Sequence, residues 1–516
     1  VKTKLSLIAL LLAAFAPAPA LAKWREASST HFVIYSEESP DSLRKFAERL
    51  ERYDSAMRYV RNLPDFDPGA ANRLTIYSVS SVNAVRKLHG KGGSMIAGFY
   101  IPRASGSIAI VPRRGMGAGE HDMDEEGVLR HEYAHHFMFE NYPVAFPSWY
   151  VEGFAEFHAT SKFEADGAVG LGRPAVHRGY GLVSGNPLPL DKMMALGTER
   201  LRPDQTEAIY GRGWLLTHYL TFNTQRRPQL GQYLKALNSG KSGIEAATAA
   251  FGDLKVLQRE LDKYLMQKRM SYMQIPAAKL KVGPIQLREL SAGEDAIMEL
   301  KIRSRRGVGE KEAAALLPLM RKAAAPFPND PAVQATLAEA EFDARYYKEA
   351  IAACDRALAA NPKTIDALIY KGRSTQALAM DAGAGKTKGI GEARKLFAAA
   401  NRLDPDDPEP LILFYNSYLA AGMKPTANSV TGLHSAFMLA PQDRGLRMLV
   451  ARQHLIDRKA KEARVALSPI AFDPHSGGMG EAAAAIIAKL DSGGTSAALQ
   501  TFDSTGEKQT DDKQGS

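Results

Sequence analysis

The sequence almost lacks cysteine: 516 residues contain one, Cys354. A single thiol excludes an internal disulfide framework, so stability must come from packed cores and from any metal the chain holds. Cys354 lies in an alanine-rich helical stretch, where a small buried hydrophobe is favoured over a reactive thiol. Long apolar runs are also missing. One stretch of 11 residues runs from Leu5 to Phe15, followed by Pro17 and Pro19. That is well short of the ~20 residues a spanning helix needs, and no later segment reaches that length, so no membrane span is expected. Clusters of one charge are absent as well. Lys and Arg number 66 against 57 Asp and Glu, and the net +9 is spread along the chain. Without a basic stripe no nucleic-acid partner is expected; weak attraction to anionic envelope surfaces is what such an excess permits.

What is present begins at the N-terminus. Lys2 and Lys4 precede the apolar stretch, and Ala20-Leu21-Ala22 offers the small-x-small pattern read by signal peptidase. Residues 1–22 therefore read as a signal peptide, with a mature start near Lys23 and a periplasmic or secreted product. No cysteine follows the apolar stretch, which argues against a lipid anchor there.

Beyond it, short alternating segments predict strands at His31–Tyr35, Leu74–Ser78, Gly98–Ile101 and Ser107–Val111, with an amphipathic helix over Ser42–Asn62. A glycine-rich charged loop from Gly115 to Glu126 is a candidate lid and leads into a helix carrying Leu129, Tyr133, His136 and Phe137. From about Gly213 the pattern turns helical and stays so. Pro276–Gly309, with Gly283, Pro284 and several charges, is the candidate junction between domains. Past it the chain echoes itself: Glu349-Ala350-Ile351 leads to Asn361-Pro362, and Glu392-Ala393-Arg394 leads to Asp404-Pro405. Pro328 and Pro362 stand 34 residues apart, the period of a tetratricopeptide (TPR) repeat. Pro362 and Pro405 stand 43 apart, an excess assigned to an inserted loop between Ala382 and Gly391. The alternative is a generic alanine-rich helical bundle. From Ser492 the chain is polar and rich in glycine and charge, and disorder is expected.

The chemistry sits in His131-Glu132-Tyr133-Ala134-His135. On a helix, positions i and i+4 share a face one turn apart, so both imidazoles can reach one metal ion. Zinc takes nitrogen ligands in tetrahedral geometry, and a catalytic site keeps one position for water. Glu132, offset by one residue, falls beside that water as a general base. The pentapeptide alone is a weak signal; its place on an amphipathic helix strengthens it. Downstream, Trp149-Tyr150-Val151-Glu152-Gly153-Phe154-Ala155-Glu156-Phe157 starts a second helix. Glu152 lies 17 residues beyond His135, enough chain to turn back, and Glu156 shares its face one turn on. The competing reading is a solvated face with a like-charge pair, costing a few tenths of a kcal/mol.

With both motifs in view, the chain resembles the gluzincin metallopeptidases, the group of thermolysin and the zinc aminopeptidases. It is most similar to a bacterial peptidase MA-like branch that often carries TPR repeats. The resemblance implies that Glu152 is the third zinc ligand and that Glu156 orients a histidine ligand. Tyr210-Gly211-Arg212-Gly213-Trp214, expected to open the next long helix, is similar to the aminopeptidase segment whose tyrosine donates to a developing oxyanion; a packed helix-start tyrosine is the alternative. The same resemblance implies that the strand Ser107–Val111 is the edge on which substrate pairs. The acidic G-x-M-E-N motif of the aminopeptidases has no counterpart in Ala104-Ser105-Gly106-Ser107-Ile108-Ala109-Ile110, which favours an endopeptidase. His136 and His158 fall on other helix faces and are not expected on the metal. His218 is either an auxiliary proton donor or an ordinary residue.

The fold class expected is α+β. It comprises a thermolysin-like, gluzincin catalytic domain over 23–290, an all-α TPR-like helical-repeat domain over 291–491, and a disordered tail over 492–516. The function expected is zinc-dependent peptide hydrolysis, with Zn²⁺ on His131, His135 and Glu152, and Glu132 and Tyr210 catalytic. The partners are a peptide or protein substrate and a protein recruited by the repeats. The rival is an inactive peptidase-like TPR scaffold or adaptor of the cell envelope.

Overall fold

The computed structural model describes residues 24–90, 98–113, 123–184, 188–195, 203–382 and 386–514. The expected signal peptide lies outside them, as does most of the candidate lid, at 114–122.

The chain opens with β1 (Arg25–Ser28) and β2 (Phe32–Ser36), then α1 (Pro40–Arg61), β3 (Leu74–Val79), α2 (Val82–His89), β4 (Phe99–Ile101) and β5 (Ile108–Pro112). Two helices follow, α3 (Glu125–Asn141) and α4 (Ser148–Ala159). β6 (Lys162–Phe163) and β7 (Val169–Leu171) lead to α5 (Leu190–Ala195), α6 (Pro203–Phe222), α7 (Arg227–Asn238), α8 (Gly243–Phe251) and α9 (Leu254–Leu265). β8 (Met273–Ile275) and β9 (Gln286–Glu289) close this part.

Six strands form one sheet in the order β4-β5-β3-β2-β1-β9, parallel at β2–β3–β5 and antiparallel elsewhere. Successive side chains along a strand face opposite sides. Accordingly Leu74, Ile76, Ala109 and Val111 pack with α1 and α3, while Tyr77, Val79, Ile108 and Ile110 face the other way, onto Val85 of α2. Two expectations change here. β5 lies between β3 and β4, so it is no edge; β4, within the strand expected at Gly98–Ile101, holds the edge next to α3, a place that alternation alone does not assign. The candidate junction is not a linker, because β9 returns to pair with β1. The helical run from Gly213 is likewise interrupted by β8 and β9, whose few residues carry little periodicity.

From α10 (Ala292–Arg306) the chain is helical. The remaining elements are α11 (Glu310–Ala324), α12 (Pro331–Asp343), α13 (Tyr347–Ala360), α14 (Ile365–Ala382), α15 (Lys386–Leu403), α16 (Pro408–Ala420), α17 (Ala427–Leu439), α18 (Arg444–Ile456), α19 (Ala460–Phe472) and α20 (Gly477–Gln514). A mixed α+β region is thus followed by a long all-α repeat of helix pairs. Close crossings use small residues: Ala350, Ala353, Cys354 and Ala357 of α13 are fully buried. Of the inserted loop expected between Ala382 and Gly391, 383–385 lie outside the described residues, and 386–391 are helix. α14 and α15 have 18 residues each against 13 and 14 in α12 and α13. Gly389 is needed because a Cβ there would lie 2.5 Å from the Ala379 Cβ. Beyond Ser492 the expected tail is helix, kinked at Gly494, because Ala498, Leu499 and Phe502 form an apolar strip against the last repeats. Among the described residues, no helix is long and apolar enough to cross a membrane.

The repeat curves back along the first region. Arg103 donates to the carbonyls of Arg305 and Arg306, Asn72 to that of Asp406, and the Ala104 N–H to Asp443 Oδ2 at 2.7 Å. Ser148 Oγ, at the start of α4, donates to Phe472 O at the end of α19.

Candidate metal centre

Helix α3 is placed by polar clamps on both sides. Asp124 caps its N-terminus, accepting from Gly127 N. Tyr133 donates to Asp54 Oδ1 of α1 at 2.7 Å, and Tyr53 of α1 donates to the Arg130 carbonyl at 2.9 Å. Arg130 in turn donates to Ala159 O, a terminal carbonyl of α4. Helix α4 is buried at every one of its 12 positions. Its only carboxylates, Glu152 and Glu156, are 1 % and 0 % exposed, and a buried carboxylate costs several kcal/mol unless it is paired. This rules out the solvated-face reading.

The partners of Glu156 are clear. His177 Nε2 lies 2.6 Å from its Oε2, Arg178 donates to its Oε1 at 2.6 Å, and His131 Nδ1 lies 3.2 Å from Oε1. Burial works against ionisation, but these groups hold the Glu156 carboxyl far below the ordinary range. Glu152 is different: both of its oxygens are buried without a well-aligned hydrogen bond. Around it, His131 Nε2 and His135 Nε2 are 3.1 Å apart and lie 3.4 and 3.6 Å from Glu152 Oε2. Three buried ligand atoms converge on one point, and among the described residues this His131, His135, Glu152 group is the one able to hold a metal ion. Burial lowers the His131 imidazole, but hydrogen bonds to Glu152 and Glu156 outweigh it and raise the group to about 10. A proton there occupies the place a divalent cation would take.

The approach of α4 depends on glycine. A Cβ on Gly153 would sit 2.3 Å from Gly213 O, and one on Gly213 would sit 2.3 Å from Trp149 O. The crossing of α4 and α6 therefore fixes the depth of Glu152.

Glu132 lines a cavity of about 260 Å³ whose wall also includes His135 of the cluster. Tyr210 stacks on His131, with ring centroids 5.7 Å apart and planes within 16°. Burial, then the charges of Glu152 and Glu132, raise its phenol well above the ordinary value, so it remains a donor. Helix α6 begins at Pro203, so Tyr210 lies two turns inside it and does not open it as expected.

The other histidines have structural partners. His136 Nδ1 lies 2.8 Å from the Tyr100 hydroxyl, and His158 Nδ1 lies 2.7 Å from Phe154 O. Burial pushes them down to about 4 and about 3. His218 Nε2 faces the carbonyls of Gly172 and Ser271 and its Nδ1 faces Tyr264, which occupies both nitrogens within the core and leaves no proton-donor role.

Sequence reasoning missed His177, Arg178 and His475. His475, in the link between α19 and α20, places Nε2 2.7 Å from Glu152 Oε1 and its ring 5.3 Å from that of His135. It follows Asp473-Pro474, which reads only as the end of a repeat. Its side chain is 45 % exposed, so desolvation opposes it only in part, and the Glu152 charge raises the His475 imidazole. Separations of tens to hundreds of residues leave no local pattern that could have paired these groups.

No family model matches the chain, and no curated protein matches it. A thermophilic TPR protein of Thermus thermophilus is a similar solved structure, at 16% identity over 37% of this chain and 97% of that one, with a TM-score of 0.33. A score that low carries no argument; the helical-repeat description rests on the helix pairs themselves.

Proposed function

We propose that the chain is an exported zinc peptidase of the gluzincin type, with Zn²⁺ held by His131, His135 and Glu152. The observation that carries the reading is the convergence of those three buried groups beside a cavity that Glu132 lines. Their separations of 3.1–3.6 Å suit the donor set. Tetrahedral zinc with bonds of ~2.0–2.1 Å spaces its ligands about 3.3–3.4 Å apart.

When bound, Zn²⁺ supplies a Lewis acid that polarises a peptide carbonyl and acidifies water. The chain's own groups do the rest. Glu132 takes the proton of the attacking water and returns it to the leaving amine. The Tyr210 hydroxyl, kept protonated, donates to the oxygen on which charge develops. Glu156 receives the far nitrogen of His131 and holds the ring in place, itself fixed by His177 and Arg178. The free edge of β4, whose Phe99 and Tyr100 line the cavity, accepts an extended peptide by backbone pairing. The helical repeat recruits the protein partner, and the leader-like first 22 residues direct export.

His475 favours a second reading, an inactive scaffold. Its imidazole, brought in from the repeat, lies 2.7 Å from Glu152 Oε1, so the repeat itself engages the carboxylate at the site. Zinc analysis and peptide cleavage separate the two. Under the peptidase reading, wild type holds about one zinc, Glu152→Ala loses it, and Glu132→Gln keeps it while cleavage stops. Under the scaffold reading, His475→Ala weakens zinc binding and no form cleaves peptide. A zinc-free wild type after supplementation overturns both.

A further inference from the structure

The cavity beside Glu132 has a second wall, built by the repeat. It contains Gln442, Arg444, Arg447 and Asp473, facing β4 and α3 across the opening. Arg444 is neutralised by Asp473 at 2.6 Å. Arg447 is not. It is 2 % exposed, and its Nη1 and Nη2 atoms are buried with no hydrogen-bond partner among the described residues. The face of the Phe437 ring lies 5.3 Å from the guanidinium carbon. Desolvation depresses this guanidinium to about 10, and among the described residues no carboxylate offsets it. Gln442 Oε1, in the same wall, is also buried without a donor among the described residues.

A guanidinium buried without a counter-charge is costly, and a planar anion is what relieves it. A carboxylate fits the fork, and an N–H close to that carboxylate fits Gln442 Oε1. We infer that this wall is a substrate subsite in which Arg447 binds a peptide carboxylate within a few residues of the cleaved bond. The repeat is then part of the substrate-binding cleft and sets specificity there. The assignment rests on the peptidase reading for what happens next to the carboxylate, but not for the binding itself. Two sources present the required chemistry, a free peptide C-terminus and an Asp or Glu side chain.

The test uses the zinc-loaded full chain and matched hexapeptides of alanine and phenylalanine. One pair differs in a free C-terminus against a carboxamide; a second, amidated pair carries Glu or Gln next to the end. Charge-assisted bonds to a buried guanidinium predict a preference for carboxylate over amide of about tenfold or more in kcat/KM. The pair showing it identifies the source. Arg447→Met is expected to bring the ratio to about 1, and Arg447→Lys to keep part of it. The same ratios read as Kd by calorimetry decide the question even if no peptide is cleaved, which would sink the peptidase reading alone. A wild-type ratio near unity for both pairs overturns the inference. So does a ratio that survives in folded Arg447→Met, or a loss that falls equally on both members of each pair.

Discussion

Replacing Gly153 by alanine tests whether the α4–α6 crossing sets the metal ligand. The new methyl would begin 2.3 Å from Gly213 O and 2.5 Å from Thr217 Oγ1, whereas ordinary contact starts near 3.4 Å. The nearer obstacle is backbone in the middle of a helix, so it cannot swing aside, and the helices must separate by roughly 1 Å. Overpacking of this kind costs about 3 kcal/mol, and alanine's better helix propensity returns ~1, for a net loss of about 2 kcal/mol. Glu152 is the adjacent residue, and metal ligands tolerate only about 0.2 Å of displacement. Zinc affinity, measured by competition with a chromogenic chelator, is therefore expected to fall roughly 10- to 100-fold, the range seen when ligand support is disturbed. Gly231→Ala is the control. That helical glycine in α7 is exposed, with nothing within 4 Å of its would-be Cβ, so alanine should leave zinc affinity alone and add ~0.5–1 kcal/mol. A Gly153→Ala protein with wild-type melting and wild-type zinc affinity would refute the argument.

The remaining expectations concern protons and the Glu156 clamp. Under the proposed zinc reading, Glu152 and Glu156 raise His131 to about 10, so binding would expel a proton; affinity should then rise about tenfold per pH unit from roughly 7 to 9, with calorimetry in two buffers reporting the released proton. Arg178→Met removes the 2.6 Å partner of Glu156 and should lower zinc affinity ~10-fold while the circular dichroism spectrum stays unchanged. His31, 7 % exposed and 2.8 Å from Glu51, is lowered by burial but raised more by that carboxylate, to about 9 from an ordinary 6.5. Its stabilisation is fully present below pH 6.5 and is lost as pH rises through about 9, on the order of 3 kcal/mol; the wild-type urea midpoint should fall across that window, and that of His31→Gln should stay flat.

Local pattern carries the candidate metal site a long way. Two histidines at i and i+4 share a face because the helix has about 3.6 residues per turn, and alternation places β2, β3 and β5 because side chains alternate across a strand. These are short-range consequences of backbone geometry, legible without knowing the fold. The buried setting of Glu152 and Glu156 is tertiary: the same i,i+4 pair suits a solvated helix face, and only full burial of α4 demands cationic partners. His475 and Arg447 lie more than 290 residues from Glu152, and their arrival at the cavity depends on the accumulated curvature of the helix pairs. The edge position of β4 follows from strand order, which periodicity does not contain. Gly153 and Gly213 show the same division, since each is an ordinary helical glycine in sequence. Only the crossing of α4 and α6 makes either one necessary. Thus sequence alone determined the candidate ligands and the helices that carry them. The tertiary structure decided which charges are buried, what holds them, and that the repeat forms the second wall of the cleft, because burial and long-range approach are properties of packing rather than of any window along the chain.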